Sequence, residues 1–291
     1  MSRERKKFMI KLCAFADEAA TSLEGQIASL KRNGIRYLEL RAVNGTGVAN
    51  ITLKEAEEYA SILKENGIGV YSIGSPIGKV DIDVDFDKYL EEITHIFRLA
   101  KIFGTNRLRM FSFFKAYDKR EMVISYLSRL VEKAKEYGVE LYHENEKDIY
   151  GDTVDRVIDI LKNVPGLKSV YDPANFVHVG ETADVALDAL HSKADYFHIK
   201  DAVSETGELV PAGHGDGAID ELLRRIEGDK VLTLEPHLAI FDSFKQIDNS
   251  EMKLRFNFTS NEEAFDAGVN ALKDLLIKAG YTEKNGGYEK V

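Results

Sequence analysis

Short apolar runs recur along the chain at 9–15, 36–40, 69–73, 107–111, 139–142, 168–171, 196–199 and 231–234, with segments of helical period between them. The runs have strand length and are bounded by turn-forming or polar residues. In "SLEGQIASLKRNG", Leu23, Ile27 and Leu30 recur at helical spacing, and Gly34 follows as a stop signal. "TLKEAEEYASILKENG" opens on Thr52 with Glu55 three residues on, the pattern of a capping box, and ends at Gly67. "DFDKYLEEITHIFRLAKIFG" reads as one helix ending at Gly104, and "REMVISYLSRLVEKAKEYG" as another ending at Gly138. "DTVDRVIDILKNV" is expected to start at a capping Asp152 and to stop before Pro165.

Strict strand–helix alternation implies parallel strands joined by crossover helices. Eight such repeats in 291 residues predict an α/β fold, a single (β/α)8 TIM barrel forming one domain over 1–291. A doubly wound open sheet is the runner-up. That fold usually carries a glycine-rich phosphate turn after its first strand, where this chain has "ADEAATS". No linker or low-complexity tract divides the chain. The polar-aromatic stretch 236–260 is expected to run over one barrel end as a loop or short extra element.

Composition narrows the class. Apolar residues make up 44% of the chain, with 15 Phe and 13 Tyr, enough for a large core without crosslinks. Cys13 is the single cysteine, so no internal disulfide exists, which fits a reducing cytoplasm; its neighbours "IKLCAFA" mark it as a small core residue. The net charge of −10 disfavours nonspecific binding to nucleic acid or an anionic membrane. "SRERKK" followed by "FMIKLCAFA" has the outline of a signal peptide, but Lys11 interrupts the apolar run, which serves better as a first strand. No stretch approaches the roughly 20 apolar residues of a spanning helix.

In a TIM barrel the chemistry collects where strands end. The fifth run ends in Glu144 and the sixth in Asp172; the seventh carries His198, then Lys200 and Asp201, and the eighth ends in Glu235. Taken singly, such a carboxylate is more often a cap or a solvated charge, and such a histidine a core residue. Three carboxylates and an imidazole on four consecutive strands are different. They would repel and resist burial unless a cation sat among them. An oxygen-rich set with one imidazole suits one divalent ion: Mn²⁺, Mg²⁺ or Zn²⁺.

"YLELRAVNGTGV", "YSIGSPIGK", "HENEKDIYGDT", "YDPANF", "FHIKDA", "PAGHGDGAID" and "LEPH" carry a resemblance that covers nearly the whole chain. The chain resembles the xylose-isomerase-like TIM-barrel superfamily, especially its sugar phosphate isomerase/epimerase branch. The resemblance implies that Glu144, Asp172, His198 and Glu235 are metal ligands, and that Glu144 and Glu235 form the acid/base pair of the ketose epimerase relatives. Those epimerases place a His three residues after the Asp ligand. Asn175 stands there in this chain and joins the candidates for substrate contact.

Other positions carry two readings each. Arg41 follows the second strand and would hold a substrate oxygen or anion, or be a surface charge. Lys200, two residues after His198, points into the same mouth by strand alternation, as a substrate contact or electrophile, or as half of an ion pair. His214 lies on a glycine-rich loop that would fold over the site. "GSPIGK" would cradle an oxyanion or present Lys79, though a plain turn is the simpler reading. His143 and Glu146 are expected beside the ligands or at the surface. Phe15, Tyr37, Phe111 and Phe176 would pack on a sugar face or, more often, in the core.

The expected activity is a metal-dependent isomerase or epimerase working through an enediolate on a ketose, aldose or related keto-sugar. The alternative is a dehydratase or lyase on an inosose or 3-keto-glycoside, because the same enediolate can expel a β-substituent. An abasic-site endonuclease would need extra histidines where the second and third strands end in Arg41 and Gly74-Ser75, and a non-catalytic sugar sensor need not keep paired bases. The expected partner is a small sugar or sugar derivative, with neither nucleic acid nor membrane; a homo-oligomer is compatible with the sequence.

Overall fold

The structure, a computed structural model, describes residues 8–242, 252–284 and 286–290. The apolar runs form β1 (Met9–Ala14), β2 (Tyr37–Leu40), β3 (Gly69–Gly74), β4 (Arg107–Met110), β5 (Glu140–Glu144), β6 (Lys168–Tyr171), β7 (Tyr196–Ile199) and β8 (Lys230–Leu234). Each pairs in parallel with the next, and β8 returns to β1 with Ile10 opposite Lys230 and Ala14 opposite Leu234. The sheet therefore closes into a (β/α)8 barrel, and the open-sheet alternative is excluded.

The helices follow the apolar periodicity. They are α1 (Leu23–Arg32), α2 (Leu53–Glu65), α3 (Phe86–Glu92), α4 (Thr94–Ile102), α5 (Arg120–Glu136), α6 (Val154–Asn163), α7 (Pro173–His178), α8 (Ala183–Leu190), α9 (Ile219–Arg225) and α10 (Asn261–Lys278). Ser22 accepts a hydrogen bond from the Gly25 amide, and Thr52 and Glu55 form the expected reciprocal capping box. Glycines 34, 67, 104 and 138 follow α1, α2, α4 and α5 in the left-handed region that stops a helix.

Alternation divides each strand between two cores. Outward residues such as Leu12, Leu38, Leu108 and Leu141 pack with the helices. Inward, Cys13, Tyr142, Val170, Tyr196 and Val231 fill the barrel below the mouth. Cys13 is fully buried there, as its neighbours in sequence imply.

Four details depart from the sequence reading. The segment before Gly104 is two helices, broken at Ile93, where the Thr94 hydroxyl donates to the Glu91 carbonyl 2.7 Å away. Asp152 does not cap α6. Thr153 holds the cap position without a side-chain bond, and Asp152 instead accepts from the Tyr117 hydroxyl at 2.7 Å and Arg156 at 2.7 Å. Two helices rather than one, α7 and α8, follow β6.

The fourth departure is a C-terminal hairpin, β9 (Tyr281–Lys284) and β10 (Gly287–Lys290). Its signal, an Asn-Gly dipeptide between short β-prone runs, is present in "YTEKNGGYEK". β1 meets β2 only at Cys13 and Ala14, so the lower half of β1 has a spare edge, and β10 pairs antiparallel with it at Met9 and Ile10. Of the stretch 236–260, positions 243–251 lie outside the described residues, as does the basic segment 1–7. The flanks of 243–251 form loop, with Leu254 bridged to Leu209.

Tyr281 anchors the hairpin: it is buried, and its hydroxyl donates to the Leu223 carbonyl at 2.9 Å. Tyr281→Ala is expected to lower the unfolding free energy by about 3 kcal/mol, measured by denaturant titration.

Candidate active site

Glu144, Asp172, His198 and Glu235 converge at the C-terminal mouth of the barrel. One ligand atom from each lies within 4.8 Å of the others, and all four residues are buried. The cause is register: each is an inward position at or just after a strand end. His198 Nδ1 lies 3.0 Å from Glu144 Oε1 and 3.2 Å from Glu235 Oε2. One oxygen each of Glu144, Asp172 and Glu235 accepts no well-formed hydrogen bond from the described residues. These oxygens meet Arg109, His198 and Lys200 only as ion pairs, and carboxylate oxygens gathered around an imidazole nitrogen are the donor set a hard or borderline divalent ion takes, so the residues fit such an ion.

Several partners of the cluster carry no clear sequence motif. Glu39 on β2 is fully buried and lies 3.2 Å from His198 Nε2, while accepting from the Tyr196 hydroxyl at 2.9 Å and Thr233 at 3.0 Å. It fixes the imidazole so that Nδ1 faces the other ligands. The available signal was a charged residue inside the apolar run "YLEL". Arg109 on β4 approaches Glu144 at 3.3 Å. Asp17 and Glu18, from the turn noted only for lacking glycine, hold Arg41 at 3.0 and 3.2 Å. His237 reaches Glu18 at 3.3 Å and Glu235 at 3.5 Å.

The positions with two readings now separate. Arg41 is no surface charge: it is buried, bonded to Glu235 at 2.8 Å, and lies against the Phe15 and Phe241 rings. Lys200 is in an ion pair with Asp172 at 2.7 Å and stands 3.6 Å from Glu235, so both of its readings meet at one place. Asp172 caps α7 by accepting from the Asn175 backbone amide at 3.1 Å, and the Asn175 side chain donates to the Asn145 carbonyl at 2.9 Å and sits 3.5 Å from Glu144. It orients two of the four residues. His214 is exposed with its ring edge-on to Phe256, and no contact joins it to the cluster; the loop that carries it is pinned by Asp201, which accepts from the amides of Gly213, Gly215 and Gly217. His143 faces out of the barrel onto Ser112 at 3.0 Å. Phe15 lies edge-on to His198, and Phe111 lines the cavity beside the cluster, whereas Phe176 packs on Tyr171 and Tyr37 sits under Lys11.

Electrostatics follow from burial and pairing. Burial opposes the charge on Glu144, but His198 and Arg109 outweigh it and hold the carboxyl below its ordinary range. Glu235 is likewise depressed, by Lys200 and His198 against burial. Asp172 is pushed up to about 7 and Glu18 to about 8, mainly by burial, which their cationic neighbours only partly offset. Burial lowers His143 to about 4.

Beside the cluster opens a cavity of about 820 Å³, lined by Arg41, Arg109, Phe111, Lys79, Glu146 and Tyr117 among others. The "GSPIGK" turn forms part of its wall. Gly78 has φ +86°, and a β-carbon there would fall 2.1 Å from the Phe111 carbonyl oxygen, so only glycine lets the turn lie against β4. Lys79 follows it, 3.1 Å from Glu146.

A model of the family described as xylose isomerase-like TIM barrel matches residues 27–275. The chain belongs to this family. Among curated proteins, it is similar to 3-dehydroshikimate dehydratase from Bacillus anthracis, 24% identical over 260 residues that cover 77% of this chain and 88% of the relative. Among solved structures, the IOLI protein with a bound zinc atom aligns with TM-score 0.71 and 16% identity over 92% of this chain and 99% of its own. L-ribulose 3-epimerase aligns with TM-score 0.69 and 16% identity over 94% and 95%. These structural likenesses show the same barrel fold. Among the described residues, no helix is long and apolar enough to cross a membrane.

The raised carboxyls set a pH dependence. Asp172 and Glu18 keep protons in the fold that the unfolded chain releases at lower pH, so their stabilising contribution is lost as pH rises through about 7 and 8. His143 and His178, lowered to about 4 by burial, work the other way until the unfolded chain's histidines have released their protons, about one unit above 6.5. The metal-free protein is therefore expected to lose thermal stability as pH rises from about 7.5 to about 8.5, through the folded value of Glu18. Added Mn²⁺, which needs the ionised carboxylates, should raise the unfolding temperature more at pH 8 than at pH 6. Thermal scans at these values with and without the ion check this.

Proposed function

We propose that the protein is a divalent-metal-dependent isomerase or epimerase that moves a proton beside the carbonyl of a ketose, aldose or related keto-sugar. The observation that carries this reading is the convergence of Glu144, Asp172, His198 and Glu235 on one point at the barrel mouth. An ion held there by those four residues supplies Lewis-acid polarisation of a carbonyl and a neighbouring hydroxyl oxygen.

The chain's own groups do the rest. Glu144 and Glu235 are both kept ionised, the state a general base requires, and they approach His198 from different strands. One removes the proton; the other takes a proton from solvent and returns it to the substrate, and the first then releases its own to solvent. Return to the opposite face of the same carbon gives epimerisation; return to the neighbouring carbon gives isomerisation. Arg41 fixes Glu235, and Asn175 with Arg109 fixes Glu144. Lys200 presents an ammonium beside Asp172 and Glu235, where a developing negative charge on substrate oxygen would meet it.

A second reading, a dehydratase or lyase on a cyclic keto compound such as an inosose or a 3-keto-glycoside, is supported about as well. It begins with the same proton removal and ends with loss of a β-substituent, for which Lys200 is placed as proton donor. The likeness to 3-dehydroshikimate dehydratase favours it. Strands β2 and β3 end in Arg41 and Gly74-Ser75 in place of further histidines, which supports a small-molecule substrate over an abasic site in DNA.

Glu144→Gln and Glu235→Gln are each expected to abolish solvent deuterium exchange into keto-sugar substrates with the fold intact. Chelation should do the same, and the double variant should be no worse than either single one, because the pair acts as a unit. Proton NMR of the exchanged carbon, beside circular dichroism, checks this; two small, independent losses would count against the pair. Lys200→Met is expected to lower turnover by about 10²-fold or more at saturating metal. Metal titration run alongside steady-state rates separates that outcome from a loss of metal affinity alone.

A further inference from the structure

The cavity beside the ligand cluster is asymmetric in charge. Its wall carries Arg41, Lys79, Arg109, Lys115 and Lys147 against Asp81, Glu146 and Asp148. Arg41 is committed to Asp17, Glu18 and Glu235, Lys115 is paired with Asp81 at 2.5 Å, and Lys79 with Glu146 at 3.1 Å. Arg109 differs. It is buried, it makes one ionic contact at 3.3 Å with Glu144, and its Nε–H has no hydrogen-bond partner among the described residues. Its guanidinium lies between the Phe111 ring at 4.5 Å and the Phe15 ring at 5.5 Å, so aromatic faces fix the plane of the fork. Lys79 sits over the same Phe111 ring at 4.4 Å.

The wall is built at a conformational cost. Phe113 at φ 72°, Lys115 at φ 52° and Asp148 at φ 64° adopt the left-handed region, and they belong to the loops after β4 and β5 that border the cavity. Backbone bonds from Phe111 and Phe113 to the carbonyls of Ile77 and Gly78 tie the turn that carries Lys79 to the loop after β4. Two cations are thereby held near one aromatic ring, in a cavity joined to the acid-rich cluster through Arg41 and Arg109, which meet Glu235 and Glu144.

We propose that the substrate carries an oxyanion, a carboxylate or a phosphate, which this cavity receives at the Arg109 and Lys79 side of Phe111 while the reacting carbons face Glu144 and Glu235. A planar guanidinium whose Nε–H is unpartnered matches a carboxylate or phosphate oxygen, and the paired contact with Glu144 leaves that donor unused. The proposal names the substrate class for the reaction centre proposed above and rests on that reading.

The test uses probes that resemble substrates but carry no reacting carbonyl, bound to the full chain in the presence of Mn²⁺ and followed by calorimetry. Sorbitol 6-phosphate is compared with sorbitol, and shikimate with its methyl ester. At least one anion is expected to bind about tenfold or more tightly than its neutral counterpart, and the pair that discriminates tells phosphate from carboxylate. Arg109→Gln should erase the difference, and Lys79→Gln should reduce it. Equal affinity within both pairs for the unaltered protein would overturn the proposal, as would full discrimination in folded Arg109→Gln protein. Because the probes do not react, failure here is distinct from failure of the proposed reaction: deuterium exchange without discrimination removes the anion site alone, whereas discrimination without exchange leaves the anion site standing.

Discussion

Six carboxylates, those of Asp17, Glu18, Glu39, Glu144, Asp172 and Glu235, are buried at the mouth of this barrel beside the cations Arg41, Arg109 and Lys200 and the His198 imidazole, whose proton the neighbouring carboxylates favour against burial. Like charges in a low-dielectric interior repel strongly, and removing each from water costs several kcal/mol on the order-of-magnitude scale for buried ions. The arrangement persists by chaining acids and bases alternately. Asp17 and Glu18 grip Arg41, Arg41 grips Glu235, Lys200 spans Glu235 and Asp172, and His198 joins Glu235, Glu144 and Glu39. The remaining excess of negative charge is taken up in part by protons, which is why Asp172 and Glu18 are pushed up to about 7 and about 8. A divalent ion answers the same deficit without using protons.

The rest of the molecule makes that crowding tolerable. Tyrosines and small apolar residues pack the barrel below the mouth, so the charged layer rests on a dry floor. Thr233 and Tyr196 reach up from that floor to bond Glu39. Phe15 fills the centre, in contact with His198, Arg41 and Arg109 together. The C-terminal hairpin completes β1 from below, at the end opposite to the chemistry.

The mouth is thus divided. One side concentrates oxygen ligands and two ionised glutamates; the other opens into a cavity edged by Arg109, Lys79 and left-handed loop residues. Loops after β2, β3, β4 and β5 set the cavity's shape, whereas the strands set the cluster. That division is the usual way a TIM barrel keeps its reaction centre while its loops set selectivity.

Alternation along short strands was legible in the sequence because its cause is local. Apolar runs separated by helical periods predict eight strands, closure follows from number and parallel order, and the positions of Glu144, Asp172, His198 and Glu235 follow from strand ends. Helix limits marked by Thr52, Glu55 and Gly34 were legible for the same reason, since a cap lies within a few residues of what it satisfies. Asp152 shows the limit of local rules: its side chain prefers Tyr117 and Arg156, one of them far off in sequence. Glu39, Arg109 and the pair Asp17 and Glu18 drew no notice because nothing nearby in sequence pairs with them. Their partners stand on or beside other strands, in some cases nearly two hundred positions away, as with Glu39 and Thr233. The sequence by itself determined the barrel and which side chains face its mouth. Only the tertiary structure decided which charges neutralise one another there, because pairing depends on distances that barrel closure alone creates.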